Sequence, residues 1–139
     1  MHSFQQRRAA LPPTAEGAGP RAARFMDEYS SIRLWQLKQE GTAAELEALA
    51  ASGLVEMQRW IPGVKHMSLL RLDSERRYLL ITTFTSYEAY RHWRQVEEEA
   101  PDYWERYASV MMHWEQLSHL VEEYTGQTVL DASFDESTH

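Results

Sequence analysis

The chain has 139 residues, a net charge of −7 and an aromatic share of 12%. This length suits one domain with a hydrophobic core, and the absence of cysteine excludes disulfides, thiolate metal sites and cysteine nucleophiles. Residues 1–25 hold four arginines against one glutamate, so the remainder is more acidic than the whole. We therefore expect no nucleic-acid partner, which would need a clustered positive surface. We also expect no membrane partner, because no apolar run approaches the roughly 20 residues of a membrane span.

Residues 1–29 are predicted to be a flexible leader, because they are rich in Ala, Pro, Gly and Arg and show no apolar periodicity. Arg7 and Arg8 are not followed by a hydrophobic region, so we expect no export signal and a cytoplasmic location. Residues 30–131 are expected to form the folded domain, and residues 132–139 a polar tail.

The first predicted strand covers residues 31–38. It alternates with Ile32 and Leu34 on one face and Arg33 and Trp35 on the other. Since both faces carry apolar groups, we expect both to be covered.

A helix is predicted next. The segment Thr42–Glu45 indicates a capping box, in which the Thr42 hydroxyl accepts from the Glu45 amide and the Glu45 side chain reaches back. Apolar residues at helical spacing then favour one long amphipathic helix, which ends at Ile61-Pro62-Gly63.

A β-hairpin follows, with strands over Val64–Leu72 and Arg77–Phe84. In the first strand, alternation puts His66 and Ser68 on one face and Met67 on the other. The second strand is almost continuously apolar, which is typical of an inner strand buried on both sides.

The second half of the chain contains two more helical segments. A second capping box is predicted at Thr85–Glu88, and Pro101 is expected to end the helix that starts there. Residues 102–117 carry two apolar stripes, which indicates contacts on two sides. The stripes are Tyr103, Tyr107, Val110, Trp114 and Leu117, and Trp104, Ala108, Met111 and Met112. A short strand over His119–Tyr124, a break at Gly126 and an extended piece over Thr128–Leu130 complete the prediction.

The element order is β-α-β-β-α-β. It predicts an α+β, ferredoxin-like fold, in which a four-stranded antiparallel sheet has its helices on one face. The other face still carries Trp, Leu and Met, so we expect a second copy of the chain to cover it.

Three local features make the chain resemble the dimeric α/β-barrel superfamily, and within it the antibiotic-biosynthesis-monooxygenase-like domains. They are the Trp60–Val64 passage from helix into strand, the Phe84–Glu88 passage from strand into helix, and Trp93 within that helix. The resemblance implies a homodimer whose two sheets pair into a barrel. It also implies a choice among cofactor-free oxygenation of aromatic compounds, haem degradation, lactone isomerisation and no chemistry.

Haem is the minor alternative among the cofactors that the resemblance implies. Haem-degrading relatives use an Asn on the first strand, a Trp on the second helix and a His about ten residues later. This chain has Trp93, but Tyr103 stands ten residues on, and the first strand contains no Asn. We therefore predict no cofactor.

The candidate catalytic residues are His66, His113 and Arg33. Either histidine has the chemistry of a general base, and Arg33 would stabilise an anionic oxygen. The competing interpretations are a hydrogen-bonded structural histidine, a surface histidine, and an arginine paired with one of the many acids.

The candidate substrate-binding residues are mostly aromatic and would form the walls of a pocket: Trp35, Ser68, Phe84, Trp93, Tyr103, Tyr107 and Met111. Core or interface packing is the competing interpretation. No metal site is predicted, because the acids at Glu97–Glu99 point in different directions along a helix and favour a solvated turn.

We expect a barrel dimer that binds a small aromatic or hydrophobic ligand. The first interpretation is a cofactor-free monooxygenase acting on an aromatic or phenolic substrate. The alternatives are a non-catalytic binder or sensor of a small hydrophobic ligand, and a haem binder.

Overall fold

The computed structural model describes residues 27–73 and 76–134, so most of the predicted leader and the end of the predicted tail lie outside the described residues. The strands are β1 (Tyr29–Leu37), β2 (Val64–Arg71), β3 (Arg77–Phe84) and β4 (Ser118–Gln127). The helices are α1 (Ala43–Leu49), α2 (Val55–Arg59), α3 (Tyr87–Glu99) and α4 (Pro101–Leu117). A π-helical turn, Ala50–Leu54, joins α1 to α2. None of these helices combines the length and the apolar character that crossing a membrane requires.

The four strands form one antiparallel sheet in the order β2-β3-β1-β4, with the helices on one face, as predicted. β1 is central, and its residue Arg33 lies opposite Leu80 on β3 and Glu123 on β4. A β-bulge follows at Leu34/Trp35 on the β4 side. The ferredoxin-like prediction is confirmed.

The hydrophobic core lies between the sheet and the helices. Its largest buried residues come from the odd positions of β1, the even positions of β3 and the inner faces of the helices. They include Trp35, Tyr78, Phe84, Leu46, Met57, Trp93, Tyr103, Tyr107 and Trp114. The first stripe predicted on α4 is therefore the core stripe, whereas Trp104 and Met112 of the second stripe are exposed.

The opposite face of the sheet, here called the outer face, is apolar and open in the single chain. Ile32 and Leu34 on β1 are only partly buried there. Leu70 on β2 and Tyr124 on β4 are 44% and 52% exposed. These residues point away from the helices because strand side chains alternate.

The capping box predicted at Thr42 is wrong. The Thr42 side chain makes no capping bond to any described residue, and its hydroxyl instead donates to the carbonyl of Gln39 at 2.8 Å. The Glu45 carboxylate is engaged by His113 at 2.7 Å. His113, on another helix, therefore binds the Glu45 carboxylate that the capping box would have required.

The second helix start is displaced by one residue from its prediction. Ser86, not Thr85, is the N-cap, and its hydroxyl accepts from the amide of Ala89 at 3.1 Å. The amide of Thr85 donates to the carbonyl of Gly63 at 2.9 Å. The backbone of Thr85 is thus bonded to Gly63, directly before β2. The next residue with a hydroxyl group, Ser86, is therefore the N-cap.

Two further predictions need correction. The predicted single helix is interrupted by the π-helical turn, where Gly53 packs against Val110 of α4. β4 runs through Gly126 without the predicted break. Its pairing with β1 continues as far as Gln127, since Tyr29 lies opposite Gln127. By contrast, the boundary at Pro101 is confirmed, with α3 ending at Glu99 and α4 beginning at the proline.

Candidate functional site

A small cavity lies between the sheet and the helices. Its volume is about 20 Å³, which holds roughly one water-sized group. The polar lining is Ser31, Arg33, Gln58, Thr82 and Glu97. The remaining walls are mainly indole rings and thioethers, from Trp35, Trp93, Trp114, Met57 and Met111. Hydrophobic and aromatic walls with a few convergent polar groups are typical of a small-molecule site.

Arg33 contacts two carboxylates and an indole ring. Its Nε donates to Glu123 Oε2 at 3.0 Å, and its two terminal nitrogens lie 3.4 and 3.5 Å from the carboxylate of Glu97. Its guanidinium carbon lies 4.9 Å from the centroid of the Trp93 ring, a cation–π contact. Burial opposes the charge, but the two glutamates outweigh it and raise the pKa of Arg33, so the guanidinium stays charged.

Glu97 comes from the last turn of α3, and 17% of its side chain is exposed. Burial raises the pKa of its carboxyl, and the positive charge of Arg33 opposes this shift. The interpretation of Glu97–Glu99 as a solvated turn is therefore wrong for Glu97, although Glu98 and Glu99 are exposed. The sequence contains the signal that would have found it: Glu97 stands four residues after Trp93, so both lie on one helix face.

Gln58 is a second cavity residue that the sequence analysis missed. Its Oε1 accepts from Nε1 of Trp93 at 2.8 Å in a buried hydrogen bond between α2 and α3. The π-helical turn immediately before α2 changes the helical phase, and π-turns are frequent at functional sites. A helix of regular 3.6-residue period was predicted here, so the pattern gave no reason to select Gln58.

Trp35 carries an unused hydrogen-bond donor. Its Nε1 is buried and has no hydrogen-bond partner among the described residues. The ring makes an edge contact with Trp114, at 5.6 Å between centroids and an interplanar angle of 85°. A buried donor without a partner is costly, so the cavity beside Trp35 has room for an acceptor, either a water molecule or an oxygen of a ligand.

The other aromatic candidates lie in the core outside the cavity lining. Phe84 and Tyr103 are fully buried and Tyr107 nearly so, and none of the three lines the cavity. The Tyr103 hydroxyl is buried without a described partner, and burial raises the pKa of Tyr103 strongly. Trp35, Trp93 and Met111, by contrast, are brought together in the cavity wall.

The structure does not bring the remaining candidates to the cavity. His66 is exposed on the outer face of the sheet, where it lies opposite Thr83, and Ser68 shares that face. His113 lies on α4 with its Nε2 2.7 Å from the Glu45 carboxylate, which links α4 to α1. His66 therefore lies on the opposite face of the sheet from Arg33, and His113 contacts α1. Neither histidine shares the cavity with Arg33.

The residues present do not fit a haem ligand set. The histidine-free lining of the cavity offers the iron no axial imidazole from the described chain. The Trp93 indole N–H is already used by Gln58. In residues 27–73 and 76–134, no group of three His, Cys, Asp or Glu side chains could hold a metal ion.

Comparison with family models identifies the domain. Residues 32–99 match the model of the antibiotic biosynthesis monooxygenase family. The chain carries an ABM domain. This match confirms the resemblance inferred from the Trp60–Val64 and Phe84–Glu88 passages and Trp93. Comparison with curated protein sequences gives no match.

Three solved structures illustrate the shared fold. SnoaB, described as a cofactor-independent oxygenase from Streptomyces nogalater, is 22% identical with a TM-score of 0.54 and covers 79% of this chain and 97% of its own. A monooxygenase from the gene ActVA-Orf6 of Streptomyces coelicolor was solved with the ligand nanaomycin D. It is 16% identical with a TM-score of 0.57, and the match covers 84% of this chain and 100% of that protein. HapK from Hahella chejuensis is 15% identical with a TM-score of 0.58, and the match covers 77% of this chain and 97% of HapK. At these identities the likeness establishes the shared fold.

Proposed function

We propose that this ABM domain is a cofactor-independent monooxygenase for a small aromatic or phenolic compound bound between the sheet and the helices. The observation that carries the proposal is the buried indole N–H of Trp35, which has no partner among the described residues and lies in a wall that also contains Arg33 and Trp93. A phenolic or quinone oxygen would accept from Trp35, while the indole faces would contact the ring.

The chemistry requires a substrate that can itself reduce O₂. An anthrone or electron-rich phenol that has lost a proton gives one electron to O₂, and the two radicals couple at a ring carbon to form a peroxide. Loss of water from the hydroperoxide then leaves a carbonyl group. For an anthrone, a CH₂ group and O₂ become a C=O group and water, so all electrons come from the substrate.

The residues of the cavity have distinct roles in this proposal. Arg33 would stabilise the negative charge on the substrate oxygen, and Trp35 would donate a hydrogen bond to it. Trp93 and Trp114 would hold the ring and exclude water. The oxygenase descriptions of SnoaB and the ActVA-Orf6 protein support this choice among the activities of the family.

Binding must widen the cavity. A volume of about 20 Å³ is far below the roughly 300 Å³ at which ligand pockets begin. The extended residue Ala100 separates α3 from α4 and is the natural place for the helices to adjust. We therefore expect substrate binding to move α3 relative to α4.

Oxygen uptake with dihydroxyanthrone, corrected for the spontaneous reaction, tests the proposal. We expect uptake of one O₂ per quinone formed, with one atom of isotopically labelled O₂ in the product. Trp35→Phe should weaken binding of the product-like dihydroxyanthraquinone about 10-fold, the usual value of one hydrogen bond. Uptake no faster than the spontaneous rate, together with tight binding, would leave the non-catalytic binder as the function.

We also propose that the working unit is a homodimer. The support is the outer face of the sheet, where the apolar residues Ile32, Leu34, Leu70 and Tyr124 are incompletely covered. Pairing two such faces would bury them and form the barrel that the resemblance implies.

A further inference from the structure

Glu97 is the only carboxylate that lines the cavity in the part of the chain that the structure describes. Its side chain is 17% exposed, whereas that of the adjacent Glu98 is 53% exposed. The indole N–H of Trp104 on α4 donates to the backbone carbonyl of Glu97. This bond links the two helices across their junction, so the backbone that carries the carboxylate is contacted by a second element.

Arg33 neutralises Glu97 only in part. The Arg33–Glu97 distances of 3.4 and 3.5 Å are at the long limit of hydrogen bonding, while the Arg33–Glu123 bond is 3.0 Å. The charged and titratable groups that face Glu97 are Arg33 from β1, Glu123 from β4, Arg94 from its own helix and Tyr103 from α4. Burial outweighs the two arginines, so the pKa of Glu97 is raised and its carboxylate is a stronger base than one on the surface.

The other polar groups of the cavity are poor proton acceptors. Arg33 stays charged, Trp35 is a donor only, and the amide of Gln58 and the hydroxyls of Ser31 and Thr82 are weakly basic. Both candidate histidines lie elsewhere. The proposed reaction nevertheless begins with loss of a proton from the substrate, which needs an acceptor inside the cavity.

We propose that Glu97 is this acceptor, an inference that rests on the proposed function. Its carboxylate takes the acidic hydrogen of the bound phenol or anthrone, and the electron pair of the broken bond stays on the substrate. Arg33, held between Glu97 and Glu123, stabilises the resulting oxygen anion. The protonated Glu97 then returns the proton to the peroxide oxygen that leaves as water, so protons balance over the cycle.

Glu97→Gln, with Glu98→Gln as the matched control, tests the inference. General-base catalysis is worth at least about 100-fold, so kcat for oxygen uptake should fall by that factor in the first variant and stay unchanged in the control. In the wild type the rate should fall as the pH drops through the raised pKa of Glu97, because the protonated carboxyl accepts no proton. The residual rate of Glu97→Gln should lack this decrease at low pH, the acid limb of the pH–rate profile. A loss of stability alone would leave the limb in place.

A second readout is independent of turnover. Glutamate labelled at the side-chain carboxyl carbon gives NMR signals that Glu97→Gln and Glu98→Gln assign. Dihydroxyanthraquinone, which has no CH₂ group to oxygenate, is the probe. We expect its binding to shift the Glu97 signal and to leave that of Glu98 in place.

The two readouts separate the two proposals. If the wild type consumes no O₂ but the probe shifts the Glu97 signal, the monooxygenase function fails while Glu97 stands as the proton-accepting contact of the bound phenol. If the probe binds without shifting that signal, or if Glu97→Gln keeps the wild-type rate and acid limb, the inference is overturned. Should Glu97→Gln fail to fold, Glu97→Asp serves instead; its shorter side chain should lower kcat but keep the limb.

Discussion

The guanidinium carbon of Arg33 lies 4.9 Å from the centroid of the Trp93 ring, and this stack joins the central strand to α3 across the cavity. Arg33 combines that stack with bonds to two carboxylates, Glu97 and Glu123. A planar, forked guanidinium can satisfy all three contacts at once, whereas an ammonium group cannot.

Arg33→Lys should therefore weaken binding of a phenolic ligand although the charge is kept. We expect the Kd for dihydroxyanthraquinone to rise about 5-fold, in line with the ~1 kcal/mol value of a partly buried cation–π contact. Fluorescence or absorbance titration measures the change. Arg91→Lys, on the exposed side of α3, is the control. An unchanged Kd in Arg33→Lys would remove Arg33 from the proposed binding site.

Trp35 and Trp93 should respond differently to the same substitution. Trp93→Phe leaves the buried Oε1 of Gln58 without its donor at 2.8 Å, while Trp35→Phe removes a donor that already has no described partner. Both changes lose the same ring volume. Trp93→Phe should thus lower the free energy of unfolding by about 1–3 kcal/mol more than Trp35→Phe. Urea unfolding followed by far-ultraviolet circular dichroism gives the difference; equal losses would contradict it.

Gly53 is expected to resist substitution because of Val110. A Cβ atom at Gly53 would lie 2.7 and 3.3 Å from the two methyl carbons of Val110, so rotating the valine does not clear the contact. Gly53→Ala should destabilise the chain by about 1–3 kcal/mol, despite the gain of up to about 1 kcal/mol that alanine brings to a helix.

The control for Gly53 is the Val110→Ala background, in which the obstructing methyl groups are gone. There, Gly53→Ala should be neutral or stabilising. Thermal unfolding of the four members of this cycle measures the coupling between the two positions. Additive effects would show that the close approach of α4 to the π-helical turn does not constrain Gly53.

The two predicted helix caps provide a matched pair. Ser86→Ala removes the bond from the Ala89 amide and should cost about 1 kcal/mol. Thr42→Ala should cost less than about half of that, because the Thr42 side chain makes no capping bond within the described chain. Chemical denaturation of both variants decides the matter. If Thr42→Ala lowered the free energy of unfolding more than Ser86→Ala does, a capping bond from Thr42 would be indicated, and the Glu45–His113 contact would not replace it.

The proposed dimer predicts a difference between two exposed residues. Leu70, 44% exposed, lies on the outer face of the sheet, and Met112, 60% exposed, lies on α4 on the other side of the domain. A lysine at Leu70 would place a charge within the pairing face, so Leu70→Lys should convert the dimer to a monomer. Met112→Lys should remain a dimer. Sedimentation equilibrium at micromolar concentration measures both, and a monomeric wild type would rule out the barrel.

The sequence by itself determined the elements that depend on local chemistry. Alternation along β1 was enough to put Arg33 and Trp35 on one face, because strand side chains alternate whatever the strand packs against. The apolar run of β3 predicted an inner strand, and Pro101 predicted the boundary between α3 and α4, since proline lacks an amide hydrogen. Together these elements were sufficient for the fold class and the family resemblance.

Only the tertiary structure decided which face became a site. Strand parity groups His66 with Ser68 but does not say whether helices cover that group, and the docking of the helices left it on the outer face. The same docking placed Glu97 in the cavity wall and left the Trp35 donor without a described partner. It also brought Trp93 to Gln58, whose position on α2 follows the change of helical phase at the π-helical turn. Each of these outcomes depends on contacts between elements distant in sequence, and a local pattern contains no information about which distant group will compete for a side chain.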